Sequence, residues 1–109
     1  MQKSGSRIPA ATVAPVVIEG VSYEQVKNGL QAGLDQMGGF LQARNVASGE
    51  VLWVLKVYEN PRNPEREGDV QDVFFRSMTL HDGGKLLIEN ERGRRFVVDP
   101  ARRTSEPQP

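Results

Sequence analysis

The chain has 109 residues, 38% of them hydrophobic and 26% charged, which suits one domain with one core and not two. Its 14 basic and 14 acidic residues cancel, so no global field draws it to nucleic acid or acidic lipid. The absence of cysteine excludes disulfides, thiol catalysis and zinc–thiolate sites, and no stretch approaches the roughly 20 apolar residues of a membrane span.

Residues 1–14, MQKSGSRIPAATVA, have no sustained apolar period and read as a disordered tail. Lys3 and Arg7 precede a segment broken by Pro9 and Pro15, a poor signal peptide, and the expected compartment is the cytoplasm. A single β domain is expected over residues 15–100. VVIEGVSYEQV, residues 16–26, is β-branched and changes phase at Gly20, which predicts one bent strand or two short ones around a bulge or tight turn.

Residues 22–37 leave two readings open. Tyr23, Val26, Leu30, Leu34 and Met37 recur at helical spacing, with Ser22 placed to cap and Gly38-Gly39 to terminate. Gly29 and Gly33 each cost a helix about 1 kcal/mol relative to Ala, and Asn28-Gly29 signals a turn. The segment around 27–37 is therefore a loop or a short helix.

From Gly39 onward β signals dominate. FLQARNV and VLWVLKVYE flank a turn at Ala47-Ser48-Gly49, which predicts a hairpin. Alternation places Val51, Trp53, Leu55 and Val57 on one face, and Leu52 and Val54 on the other. An apolar run with two apolar faces predicts a central strand covered fully on one side and partly on the other. NPRNPEREGD, residues 60–69, breaks the pattern. VQDVFFRSMTLHD is a strand of unclear phase, and KLLIENE with RRFVVD forms a second hairpin whose Leu86, Ile88, Phe96 and Val98 point inward. The Pro-rich and polar residues 101–109 read as a flexible tail. The expected fold is mainly β, a small antiparallel meander or partly closed barrel of five to seven strands. Trp53, Leu55, Val57, Phe74 and Phe96 are the expected core, with Trp53 plugging the space against Phe74 or Phe96.

The spacing of Ala43, Asn45, Ser48, Gly49, Glu50, Leu52 and Trp53, A-x-N-x-x-S-G-E-x-L-W, resembles one repeat of the quinoprotein-like (PQQ-type) β-propellers. In those repeats Asp usually stands where Asn45 does, and the tryptophan wedges between blades. A fainter likeness at Gly93, Phe96 and Asp99 lacks the tryptophan. The resemblance covers residues 39–57 and implies no ligand residues, because cofactor ligands in that family come from loops of several blades. The whole chain also resembles small bacterial proteins of unassigned function that share ASGE-LW-LKVYE and NERGRRFVVD, which implies no chemistry.

Three constellations carry potential chemistry. His81 stands alone before Asp82 in a turn, with no nucleophile-elbow pattern to complete a triad, and reads as an exposed turn residue. Glu65, Glu67, Asp69 and Asp72 are weak candidates for Ca²⁺, since their spacing does not fit an EF-hand and carboxylates beside Pro are ordinary loop composition. Arg92, Arg94 and Arg95 flank a predicted hairpin turn, where guanidinium forks suit phosphate or carboxylate, or simply pair with neighbouring Glu89 and Glu91. The glycines at 29, 33, 38 and 39 do not make a phosphate loop. With no catalytic set and no cofactor motif, the expected function is a non-catalytic protein-interaction module, self-association included. The alternative is a binder of an anionic ligand or nucleic acid through Arg92–Arg95, with nucleic acid disfavoured by the cancelled charge.

Overall fold

The computed structural model describes residues 13–60 and 72–108, which form eight strands in two antiparallel sheets. The first sheet is a meander of β1 (Val16–Ile18), β2 (Val21–Gln25), β3 (Phe40–Asn45) and β4 (Val51–Lys56). The second is a meander of β5 (Phe75–His81), β6 (Lys85–Asn90), β7 (Arg95–Asp99) and β8 (Thr104–Gln108). The mainly β expectation holds, with eight strands rather than five to seven and no closed barrel among the described residues.

Two local features raise the count. Glu19 and Gly20 both take positive φ, 50° and 81°, so the phase change at Gly20 is a two-residue hairpin turn of the kind strand twist favours. At the other end, the segment expected as a flexible tail carries β8, which pairs along β7 from Asp99↔Thr104 to Arg95↔Gln108. Asp99 Oδ1 accepts from the backbone N–H of Ala101 and of Arg102, reversing the chain, and Ser105 Oγ donates to the Val57 carbonyl at 2.7 Å. Of the expected N-terminal tail, residues 1–12 lie outside the described residues, and Val13 packs against the core.

The inner faces of both sheets bury one core. Leu41 and Ala43 come from the first sheet; Phe75, Met78, Leu86, Ile88, Phe96 and Val98 from the second. The second hairpin has its expected facing, with Leu86 opposite Val98 and Ile88 opposite Phe96, all buried. Tyr58 completes the core: its ring stacks on Phe96 at 5.1 Å, and its hydroxyl donates to the Val73 carbonyl at 2.6 Å. Of the five residues expected as core, Val57, Phe74 and Phe96 are buried, while Trp53 and Leu55 are half-buried at the margin.

Trp53 is therefore not the plug. Its indole meets Tyr23 at 6.0 Å and is capped by the Arg103 guanidinium at 5.5 Å, while the ring on Phe96 is that of Tyr58. Nor is its strand central, because β4 is the outermost strand of its sheet. Val51 departs from the expected facing as well. Trp53 pairs with Ala43 and Val51 with Arg44, so a bulge leaves Leu52 without a register partner and moves Val51 off the face of Trp53. An inserted residue inverts everything beyond it, and simple alternation has no means of detecting one.

Residues 27–37 are turns, not a helix. Asn28 Oδ1 accepts from the Gln31 N–H, and Gly29 N donates to the Met37 carbonyl at 2.8 Å, closing the loop on itself. A Cβ at Gly29 would stand 2.1 Å from the Gln36 carbonyl, and one at Gly38 2.4 Å from that of Val73, so glycine is required by close approach. The loop buries Phe40, whose position opposite Lys56 places it on the face away from the second sheet.

Core depth predicts the order of mutational cost. Phe75→Ala is expected to destabilise by about 3–5 kcal/mol, and Trp53→Ala by only about 2 kcal/mol because part of its surface is wet already. Urea denaturation of both variants checks this ranking, which a larger loss for Trp53→Ala would reverse.

Candidate functional site

The least protected part of the molecule is β4. Val51, Leu52 and Val54 are exposed by 46%, 46% and 42%, although the run VLWVLK is apolar at every position but Lys56. Val57 N donates to the Gly39 carbonyl, so by ladder alternation Trp53 and Leu55 aim their backbone groups at β3. Val54 and Lys56 consequently aim theirs outward, and no described strand pairs with them.

The other three edges are blunted. β1 has three residues and runs close to β5. β5 is bulged at Arg76, whose guanidinium pairs with Glu89 at 3.0 Å. β8 carries Glu106 and Pro107, and proline donates no ladder bond. Among the described edges, β4 exposes Val51, Leu52 and Val54, whereas β1 exposes Val17 and β5 Leu80.

Beside β4, the outer face of the first sheet holds a polar network. The Glu24 carboxylate accepts from Ser22 Oγ at 2.8 Å, from Gln42 Nε2 at 3.1 Å, and from Arg44 through Nε at 3.2 Å and through Nη2. The hydrogen bonds from Arg44 hold this carboxyl below the usual carboxylate range; burial opposes them, and the bonds from Ser22 and Gln42 and the Arg44 charge reinforce them. At the far end, Lys56 Nζ meets Asp35 at 2.8 Å and Glu59 at 3.3 Å, pinning the 27–37 loop to the end of β4. Neither network figured in the sequence reading, since their members lie far apart along the chain. The one available signal was the polar half of the β2 and β3 alternation.

The buried Gln36 was equally illegible. Its Nε2 donates to the carbonyls of Gly38 and Tyr58, and its Oε1 accepts from Asn60 N, while Asn60 Oδ1 accepts from Val73 N. These bonds tie the 27–39 loop to both flanks of residues 61–71.

The sequence-predicted site residues do not converge. Arg92 and Arg94 sit exposed on the β6–β7 turn, where Asn90 Oδ1 accepts from the backbone N–H of each. Neither makes an ion pair among the described residues, whereas Arg95 faces Glu89 at 3.6 Å. Glu65, Glu67 and Asp69 lie outside the described residues, and Asp72 is half-buried. Among the described residues no three His, Asp or Glu side chains gather to hold a metal ion. His81 is exposed at the end of β5. No helix among the described residues is long and apolar enough to cross a membrane.

Searches against family models, curated proteins and solved structures return no match for this chain.

The Glu24 network sets a pH dependence. A carboxyl whose folded pKa is depressed contributes stability above its unfolded pKa and loses it as pH falls through the folded value. Glu24→Gln is thus expected to cost about 1 kcal/mol at pH 7 and progressively less at acidic pH. Urea midpoints of both proteins across this range check it; parallel curves contradict it.

Proposed function

We propose that this chain is a non-catalytic protein-interaction module that engages its partner through the open edge of β4. What carries the reading is one observation: β4 alone among the four edges presents exposed Val51, Leu52 and Val54 beside outward backbone groups. Strand addition at such an edge gains main-chain hydrogen bonds, and alternate side chains supply selectivity. An apolar edge left open is an aggregation hazard, and the protection given to the other three edges makes its retention at β4 informative.

The arginine turn supports a second reading, an anionic ligand held by Arg92 and Arg94, because both are exposed and unpaired among the described residues. It ranks lower because the buried Asn90 beside them binds their backbone N–H groups and not their guanidiniums, and isolated surface guanidiniums are well solvated. On this reading, phosphate or oligonucleotide binding would weaken as salt rises and disappear in Arg92→Ala/Arg94→Ala.

A photo-crosslinking residue at position 54 tests the edge. Adducts of defined mass are expected from position 54 and not from position 97, on the outer face of the second sheet. Leu52→Lys should abolish them without lowering the thermal midpoint by more than a few degrees. Equal adducts from both positions overturn the reading.

A further inference from the structure

We infer that Asn28-Gly29 is a self-modification site, shut by the fold, whose conversion to isoaspartate unseats the 27–37 loop. It is the one Asn-Gly pair in the chain, and glycine, lacking a side chain, least hinders attack by its own amide nitrogen. In that reaction the Gly29 nitrogen loses its proton and bonds to Asn28 Cγ. The Cγ–Nδ2 bond breaks, and ammonia leaves with the proton. Water then opens the succinimide at either carbonyl, giving aspartate or an isoaspartate whose main chain runs through Cβ and Cγ. No co-reactant but water is consumed.

The fold masks the nucleophile. Asn28 is exposed, but Gly29 is buried and its N–H donates to the Met37 carbonyl at 2.8 Å. An amide committed to a buried acceptor resists losing its proton. The Asn28 carbonyl accepts from Ala32 N at 3.2 Å and the Gly29 carbonyl from Leu34 N at 2.8 Å, so the peptide planes on both sides are fixed. Asn28 Oδ1, bonded to Gln31 N at 2.9 Å, ties the side chain forward. All of this depends on the loop being closed, and Gln36 anchors it on the carbonyls of Gly38 and Tyr58. Reaction therefore proceeds from the open loop, at a rate set by how often it opens. The isoaspartyl product does not reclose. Gly29 is seated so closely that an added Cβ would stand 2.1 Å from the Gln36 carbonyl and 3.0 Å from the Phe40 ring, and an extra main-chain methylene displaces it. Losing that cover bares Phe40, which is buried in the closed loop.

The test is incubation of the full chain in mildly alkaline buffer, with and without denaturing guanidinium, followed by peptide mapping that separates aspartate from isoaspartate at position 28. Asn28 should convert readily in the denatured chain and at least roughly tenfold more slowly in the native one. Gln36→Ala, confirmed folded by circular dichroism, should speed the native reaction. The isolated isoaspartyl chain should melt lower than the wild type, while Asn28→Asp, which keeps the Oδ1 acceptor, should melt with it. An Asn28 that survives in guanidinium overturns the site, and equal rates in both buffers overturn its masking. An isoaspartyl chain with the wild-type midpoint, or an Asn28→Asp chain lowered as far as the isoaspartyl one, overturns the unseating.

Discussion

The molecule is organised around Tyr58. Its hydroxyl is bound to the Val73 carbonyl, and its ring is stacked on Phe96 and tilted against Phe75. A single side chain at the exit of β4 thereby joins the first sheet, the segment leading into β5 and the middle of the second sheet. Burial, and secondarily the Glu91 charge, push its hydroxyl well above the ordinary phenol range, so it remains a donor even in alkaline solution. Gln36 and Asn60 satisfy the remaining backbone groups around it. A buried hydroxyl with a partner is favourable, and one without is costly, so this position fixes the meeting of the sheets sharply.

That closure explains the exposure of β4. The strand delivers its end, Val57 and Tyr58, into the core, and Ser105 clamps the Val57 carbonyl from β8. Its beginning is left outside. The bulge at Leu52 takes Val51 off the inner face, and the loop that buries Phe40 and reaches Lys56 does not extend to Leu52 or Val54 among the described residues. Half of the second face is covered by the chain itself, and on the other half Leu52 and Val54 are exposed. Arg103, held at positive φ, shields the indole of Trp53 from water without burying it.

Much of the fold was legible in the sequence because alternation and turn chemistry act locally. The Ser48-Gly49 hairpin, the inward set Leu86, Ile88, Phe96 and Val98, and the break at Gly20 all follow from period two and from residues that accept positive φ. What was not legible depends on distant partners. β8 is Thr-Ser-Glu-Pro-Gln, with no apolar period, and becomes a strand because β7 offers an edge. Trp53 looked central because its neighbours in sequence are apolar, yet its burial is decided by which strand lies beside β4. The Glu24–Arg44 pair joins residues 20 apart and leaves no local trace. As for the candidate site, the sequence indicated an apolar strand with a doubtful second face, but only the strand order identified it as an open edge.

Amide hydrogen exchange along β4, measured over a dilution series, tests this account most directly. Leu55, bonded into β3, should exchange slowly throughout, while Val54 and Lys56, with no described strand beside them, should exchange fast in the dilute, unpartnered chain. Slow exchange at Val54 and Lys56 at every dilution, in a chain shown to be monomeric, would mean that the chain covers this edge itself, and would contradict the account.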